Sequence, residues 1–339
     1  MSKAVKLVEF QSHGTTIRGA WFRAADKHLE GEHGLPCVVM AHGLGGTRAA
    51  RLDAFAERFA AAGLEVLVFD YRSFGASDGQ PRQHFGIRRQ LDDWKAAISF
   101  ARAHEGIDTQ RIALWGSSFS GGHVITAAAE DGAIAAVSSQ GPMMDGRAAF
   151  LNVIRYAGLG QALKITLHAA WDTFGALTGI RHYIPIVGQP GEIATMTSAD
   201  AESGYKAIVP NDWVNEITTA WMLELPLYRP VARASALSCP TLIGICTQDS
   251  VAPTSAAEET ARRIGAPAEV KRYDIGHFDI YVGDGFEQAV GDQVAFFTRV
   301  LRPATPVAEA PAPADDAAST DPETDTGPAS DTATEPKAD

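Results

Sequence analysis

The stretch Ile112-Ala-Leu-Trp-Gly-Ser-Ser-Phe-Ser-Gly-Gly122 carries the strongest structural signal in this chain. It opens with an apolar run typical of a buried strand, and the segment 123–130 that follows is compatible with a helix. Gly116 and Ser120 place small residues two positions before and after Ser118. A strand, a sharp turn with small flanking residues and a helix expose a serine hydroxyl as a nucleophile. The stretch predicts a serine hydrolase that attacks with Ser118.

Two alternatives stay open from this stretch alone. Ser120, which lies between Ser118 and Gly122, fits the same spacing of small residues. We prefer Ser118 because the small residue two positions before it is a glycine, Gly116. This residue lies at the end of the strand, where the turn leaves the least room for a side chain. Serines also cap helices well, so the other interpretation is that Ser117 and its neighbours only cap the helix.

The composition is that of a globular protein. The chain has 339 residues, of which 45% are hydrophobic and 21% are charged. Its first ten residues lack the uninterrupted apolar core of a signal peptide, and no stretch is long enough to span a membrane. Cys37, Cys239 and Cys246 lie in or beside apolar runs and are expected to be small buried side chains. We expect a cytoplasmic protein that has no membrane partner.

The acidic charge is concentrated at the C-terminal end. The formal net charge is -12, and the segment 303–339 has nine acidic residues and one lysine, so it contributes -8. This segment has seven prolines and no aromatic residue, and we expect it to be a disordered tail. The remaining body has no basic excess, so nucleic acid is not an expected partner.

The body, residues 1–302, alternates strand-like runs with amphipathic helical segments. Val5–Phe10 and Thr16–Arg23 are typical of a hairpin. Short apolar runs typical of a buried parallel sheet follow at Pro36–Ala41, Glu65–Phe69, Ile112–Trp115, Ala135–Ser138, Thr241–Cys246 and Glu269–Tyr273. The alternation predicts one α/β domain with a doubly wound sheet.

A segment from about 143 to 236 interrupts this alternation. It has helical stretches and many aromatic residues but no clear strand. An insertion of this length is too long for a plain loop, so we predict a helical cap, or lid, over the site. The other interpretation is a second core packed at the edge of the sheet.

Two further side chains complete a catalytic set with the serine. A serine hydroxyl needs a base to take its proton and a carboxylate to orient that base. Asp249 follows the predicted strand Thr241–Cys246, and His277 follows Glu269–Tyr273. Ligands of open α/β sheets bind at such strand ends, so the three side chains are expected to converge there. Asp274 and Asp279, both close to His277 in sequence, are alternative acids.

A glycine-rich loop, His42-Gly-Leu-Gly-Gly-Thr47, follows the predicted strand Pro36–Ala41. Backbone N–H groups there can stabilise a developing oxyanion. We predict that the N–H groups of Leu44 and Phe119 form the oxyanion hole, helped by a helix that starts near Arg48. The loop lacks the spacing and the lysine of a phosphate-binding loop.

Taken together, His42–Gly46, the segment 69–79, Trp115–Gly121, Asp249 and Gly276-His277 resemble the α/β-hydrolase superfamily, and most closely its bacterial esterase and dienelactone-hydrolase-like members. The resemblance covers about residues 5–301. It implies a mostly parallel sheet of eight strands flanked by helices, with a cap insertion. It also implies that Asp70-Tyr71-Arg72 is structural, and that Ser118, His277 and Asp249 act as nucleophile, base and acid.

The predicted activity is hydrolysis of a carboxylic ester of a small, partly apolar substrate through an acyl-enzyme. The same residues could act on a thioester, a lactone, an amide or a C–C bond, or could transfer the acyl group. A non-catalytic ligand-binding protein is the alternative of another class. We expect no metal and no cofactor, because the ten histidines form no pattern of metal ligands. A homo-oligomer is compatible with the sequence.

Overall fold

The computed structural model describes residues 5–303. Except for Pro303, the predicted disordered tail lies outside the described residues. The strands are β1 (Lys6–Ser12), β2 (Thr15–Phe22), β3 (Leu35–Ala41), β4 (Glu65–Phe69), β5 (Ile107–Ser117), β6 (Ala136–Gln140), β7 (Tyr183–Ile184), β8 (Ile217–Thr218), β9 (Thr241–Cys246) and β10 (Ala268–Tyr273). The helices are α1 (Leu52–Ala61), α2 (Ile87–Arg102), α3 (Phe119–Asp131), α4 (Gly146–Ala176), α5 (Ala201–Ile208), α6 (Thr254–Arg263) and α7 (Gly283–Val300).

Eight of these strands form one mostly parallel sheet, which confirms the predicted α/β-hydrolase fold. The strand order is β1-β2-β4-β3-β5-β6-β9-β10. β1 and β2 pair antiparallel, as do β2 and β4, and every later pair is parallel. β3, β4, β6 and β9 are buried along their whole length, because helices cover both faces of a parallel sheet.

The boundaries that differ from the sequence prediction include the start of β5 and the start of α1. β5 is longer than the apolar run Ile112–Trp115 because it begins with a polar segment, 108–111, that has little hydrophobic signal. The helix expected near Arg48 begins only at Leu52, because Arg51 has a left-handed backbone with φ of 68°. α1 therefore begins about four residues later in the chain than predicted.

The insertion between β6 and β9 is mostly helical. It contains α4 and α5, followed by four short 3-10 turns between Ala220 and Ala236. It also contains a small antiparallel ribbon, β7–β8, that was not predicted from the sequence. Two-residue strands are too short to give an alternating pattern. The function of the insertion as a lid stays a prediction.

All three cysteines have buried, free thiols, as expected from their apolar surroundings. Within residues 5–303, no helix is both long enough and apolar enough to cross a lipid bilayer.

Candidate active site

Ser118 lies on a strained turn between β5 and α3. Its φ of 57° and ψ of -119° are unfavourable for a residue that has a side chain. Gly116 makes the turn possible, because a Cβ atom there would lie 2.3 Å from the carbonyl oxygen of Ser120. The turn leaves Ser118 partly exposed, whereas Ser117 and Ser120 are buried. This is the strand–turn–helix geometry that the sequence predicted.

The neighbouring serines have structural partners. The Ser120 hydroxyl is hydrogen-bonded at 2.8 Å to the hydroxyl of Tyr71, which accepts a 2.7 Å hydrogen bond from the indole N–H of Trp94. The Ser117 hydroxyl lies 2.5 Å from that of Tyr281. Ser118 alone among the three contacts a histidine. The alternative register with Ser120 is therefore not supported by the geometry.

The structure brings together Ser118, His277 and Asp249. The hydroxyl of Ser118 lies 3.0 Å from Nε2 of His277, and Nδ1 of the same ring lies 2.6 Å from Oδ2 of Asp249. The other carboxylate oxygen of Asp249 accepts hydrogen bonds of 2.8 and 2.7 Å from the amides of Val251 and Ala252. These amides fix the carboxylate, so the imidazole is held with Nε2 toward Ser118.

The alternative acids are engaged elsewhere. Asp274 accepts hydrogen bonds of 2.9 Å from the side chains of both Thr247 and Gln248. Asp279 accepts a 2.9 Å hydrogen bond from the backbone amide of Gly276 and so closes the turn that carries His277. Neither carboxylate is hydrogen-bonded to the imidazole.

The electrostatic surroundings of His277 raise the pKa of its imidazole. Burial lowers its pKa, but the charge and the hydrogen bond of Asp249, together with the charge of Asp200, outweigh burial and leave the pKa raised. Asp200 belongs to the insertion, and its Oδ1 accepts hydrogen bonds from Ser198 at 2.9 Å and Ser250 at 2.5 Å. Asp200 directly precedes α5, and it was not predicted from the sequence because no local pattern indicates that it lies near His277.

The two residues predicted to form the oxyanion hole, Leu44 and Phe119, both lie beside Ser118. Leu44 and Phe119 line the same cavity as Ser118, and within residues 5–303 neither of their amides has a hydrogen-bond acceptor. Gly43 lies directly against the serine, because a Cβ atom at that position would come within 2.9 Å of the Cβ of Ser118. A side chain at 43 would therefore push the loop away from the site.

His42 stabilises the glycine-rich loop through two hydrogen bonds of its ring. Its Nδ1 lies 2.9 Å from the carbonyl oxygen of Gly43, to which it donates, and its Nε2 accepts a 3.5 Å hydrogen bond from the amide of Tyr71. Burial lowers the pKa of His42, so the ring is neutral and suited to this pair of hydrogen bonds. Its contacts are those of a structural residue.

Side chains of the insertion also hold the glycine-rich loop. The hydroxyl of Tyr205 donates a 2.6 Å hydrogen bond to the carbonyl oxygen of Leu44, and the indole N–H of Trp213 donates one of 2.9 Å to Gly45. Ile186 packs so closely on Gly45 that a Cβ atom there would lie 2.4 Å from its Cδ1. No sequence signal links these residues to the loop, because the contacts span more than a hundred positions.

The segment Asp70-Tyr71-Arg72 is structural, as the resemblance implied. The carboxylate of Asp70 accepts a 2.6 Å hydrogen bond from the backbone amide of Arg48. Arg72 forms a buried ion pair with Asp93 at 2.6 Å. Together with the hydrogen bond between the hydroxyls of Tyr71 and Ser120, these contacts fix the loop after β4 beneath the site.

An apolar cavity opens beside Ser118. Its wall combines residues of the sheet loops with residues of the insertion. The apolar side chains that line it are Leu44, Phe119, Met143, Ala149, Val153, Met196, Trp221, Leu225, Val251 and Ala252. Tyr156, Thr195 and Ser198 add a few polar atoms. Such a cavity suits a partly apolar ligand. In residues 5–303, no group of three or more His, Cys, Asp or Glu side chains could hold a metal ion.

Comparison with known proteins places this geometry in a family. The quorum-quenching protein AidA of Acinetobacter baumannii is 43% identical over 269 residues, which cover 78% of this chain and 87% of the relative. The thiohydrolase aneE of Aspergillus aculeatus is 29% identical over 283 residues, covering 80% of this chain and 87% of the relative.

Solved structures show the same fold. The α/β-hydrolase GrgF from Penicillium sp. superposes with a TM-score of 0.73 at 24% identity, covering 88% of this chain and 99% of that one. Residues 33–281 match the profile of a family described as serine aminopeptidase, S33. That range includes β3 to β10 and every side chain that meets at Ser118, so this chain is a member of the serine aminopeptidase S33 family of α/β-hydrolases.

Proposed function

We propose that this protein hydrolyses a carboxylic ester of a small, partly apolar substrate through an acyl-enzyme. The observation that carries the proposal is the continuous hydrogen-bonded path from Ser118 through both nitrogens of His277 to Asp249, with distances of 3.0 and 2.6 Å. A serine alcohol is a poor nucleophile at neutral pH, and a positioned imidazole removes its proton as the hydroxyl attacks.

In the first half of the reaction, Oγ of Ser118 forms a bond to the carbonyl carbon, and its proton passes to Nε2 of His277. Asp249 accepts from Nδ1–H of the same ring, so it stabilises the imidazolium that forms. The oxyanion of the tetrahedral intermediate is stabilised by the N–H groups of Leu44 and Phe119. The intermediate then collapses, the C–O bond breaks, and the alcohol leaves with the proton from Nε2.

In the second half, Nε2 of His277 takes a proton from water as the water oxygen attacks the acyl carbon. Collapse of this second intermediate returns the proton to Oγ of Ser118 and releases the carboxylic acid. The apolar walls of the cavity suit the acyl part, because burial of apolar surface favours binding.

A lactone is the second candidate substrate, favoured by the similarity to a quorum-quenching protein at 43% identity. A lactone is a cyclic ester, so the same residues would open it, and the alcohol that leaves would stay attached to the acyl chain. Thioester cleavage and acyl transfer, which are suggested by the names of more distant relatives, use the same first half-reaction.

A fluorophosphonate probe and a substrate panel test the proposal. We expect the probe to label wild-type protein at Ser118 and to leave Ser118→Ala unlabelled, while Ser120→Ala remains labelled. The panel contains p-nitrophenyl esters of increasing chain length, N-acyl lactones, and the matching thioesters and amides. We expect turnover of the oxygen esters, linear or cyclic, and a preference for apolar acyl groups.

Two results would contradict the proposal. The absence of labelling in a folded wild-type protein would favour a ligand-binding protein without catalysis. Labelling combined with turnover of thioesters or amides alone would retain Ser118 and replace the ester as substrate.

A further inference from the structure

The part of α4 that follows a break at Gly158, together with the turn after its end at Ala176, carries a large exposed apolar surface. Seven large apolar side chains between positions 159 and 180 are exposed. They are Leu159 (71% exposed), Leu163 (58%), Leu167 (61%), Trp171 (64%), Phe174 (71%), Leu177 (83%) and Ile180 (68%). We call this set the α4 patch. Contiguous exposed apolar surface of this size is a mark of an interaction site.

The spacing within the patch is that of a helix-pairing seam. The small or apolar residues at positions 160, 163, 167, 170, 174 and 177 recur at alternating steps of three and four. This is the seven-residue repeat with which one helix packs against another of the same kind. Leu159 and Trp171 flank the seam on either side.

The opposite face of α4 is held to the body by polar contacts. Asp172 is fully buried, and its carboxylate accepts hydrogen bonds from the amides of His182, Thr219 and Ala220 at 2.9, 2.9 and 2.7 Å. It also pairs with Arg181 at 2.8 Å. Rotation of the helix to bury the patch would break this set and leave a charge without partners, which is strongly unfavourable. The contacts of Asp172 therefore hold α4 with the patch facing outward.

We propose that the α4 patch is the interface of a homodimer in which the α4 helices of two copies pack against each other. Seven side chains that are about two-thirds exposed, at roughly 200 Å² for each whole side chain, offer about 900 Å². A stable interface of standard size needs about 800 Å² from each partner. In a twofold dimer, the same surface of both copies forms the interface. The seam can meet this condition because it would pack against the same seam of the second copy.

Other occupants fit the patch less well. The segment 304–339 has one valine and no leucine, isoleucine, methionine or aromatic residue, so it cannot supply a matching apolar face. Lys164 is the one charged residue that is exposed between 159 and 177, and the chain has a net charge of -12. An anionic membrane surface or an acidic protein would meet repulsion without a basic cluster to offset it.

Sedimentation velocity of the full chain over a range of micromolar concentrations tests the proposal. We expect a species of twice the 36.0 kDa chain mass. The double variant Leu167→Glu/Phe174→Glu should sediment as a monomer and keep a cooperative thermal unfolding transition. Leu7→Glu is the matched control, because Leu7 is 74% exposed on the edge strand β1 and should leave the dimer intact.

A cross-link gives a second readout that does not depend on the fold of the charged variant. Ala170→Cys lies in the seam, so mild oxidation should join two copies through a disulfide. Leu7→Cys lies outside the seam and should remain unlinked. The three native thiols are buried, so they should not contribute to the cross-link. A monomeric wild-type protein would overturn the proposal. If such a monomer also bound neutral phosphatidylcholine vesicles, the patch would be a membrane contact and not a dimer interface. The proposal is also overturned if the dimer survives the double variant or dissociates in Leu7→Glu. Neither readout depends on hydrolytic activity.

Discussion

The hydroxyl of Tyr205, in the insertion, donates a 2.6 Å hydrogen bond to the carbonyl oxygen of Leu44, in the loop after β3. The bond joins residues 161 positions apart. Because Leu44 carries a proposed oxyanion donor, this contact makes the insertion part of the support for the catalytic backbone. Positioned donors stabilise an oxyanion best when their surroundings hold them still.

The first prediction concerns this support. Tyr205→Phe removes the hydrogen bond and keeps the ring, so kcat should fall by about 3- to 10-fold, which corresponds to a net hydrogen-bond contribution of about 0.5–1.5 kcal/mol. KM should change little, because the bond acts on the transition state. Steady-state kinetics on a p-nitrophenyl ester measure both. Tyr183→Phe is the control, because its 3.2 Å bond to the carbonyl of Arg82 lies outside the loop. Equal effects in both variants would argue against a positioning role.

The second prediction concerns pH. The base must be neutral, and the pKa of His277 is raised, chiefly by Asp249 acting against burial. Activity should therefore fall as pH decreases through a pKa above the ordinary histidine value of about 6.5. Asp249→Asn removes the raising charge, so this acid limb should move to lower pH while kcat drops by roughly 10³-fold or more. Profiles of kcat/KM against pH measure the shift.

The control for that experiment is Asp274→Asn, which changes a carboxylate that accepts hydrogen bonds from Thr247 and Gln248. Its profile should match that of the wild type. If Asp274→Asn shifted the limb and Asp249→Asn did not, the acid would have been assigned to the wrong residue.

The third prediction concerns the turn at Ser118. The methyl group of Gly116→Ala would lie 2.3 Å from the carbonyl oxygen of Ser120, so the backbone would have to move. We expect the free energy of unfolding to fall by about 3 kcal/mol. Probe labelling of Ser118 should fall as well. Gly291→Ala is the matched control. Gly291 is an exposed position of helix α7 where nothing lies within 4 Å of an added Cβ, so the free energy of unfolding should rise by up to about 1 kcal/mol. Urea unfolding compares the two, and a Gly116→Ala protein as stable as wild type would refute the packing argument.

The fourth prediction concerns the buried ion pair below the site. Asp93 has no exposed side-chain surface and Arg72 has 6%, so Asp93→Asn leaves a buried guanidinium without its counter-charge. The free energy of unfolding should fall by about 3–5 kcal/mol. Glu258→Gln, which breaks the exposed pair with Arg272, should have a far smaller effect. Chemical denaturation measures the free energy of unfolding of both variants. Equal decreases would contradict the argument that burial makes the Arg72–Asp93 pair more important for stability than the exposed pair.

The sequence predicted the sheet well because its strands are buried and nearly continuous in apolar residues. Thr241–Cys246 has the predicted bounds and is buried throughout. The polar start of β5 and the ribbon β7–β8 were missed, since neither has a hydrophobic period. The outward face of α4 was also missed, because a periodic apolar face is expected to point toward the core.

By itself, the sequence determined the strand–turn–helix at Ser118 and the order of serine, acid and histidine, because backbone sterics and strand periodicity are local properties. Only the tertiary structure decided which of three serines faces a histidine and which of three carboxylates orients it. Those contacts join positions far apart in the chain: 159 residues separate Ser118 from His277. Hydrogen-bond partners at such separations are chosen by the packing of the whole sheet, which no short stretch of sequence encodes.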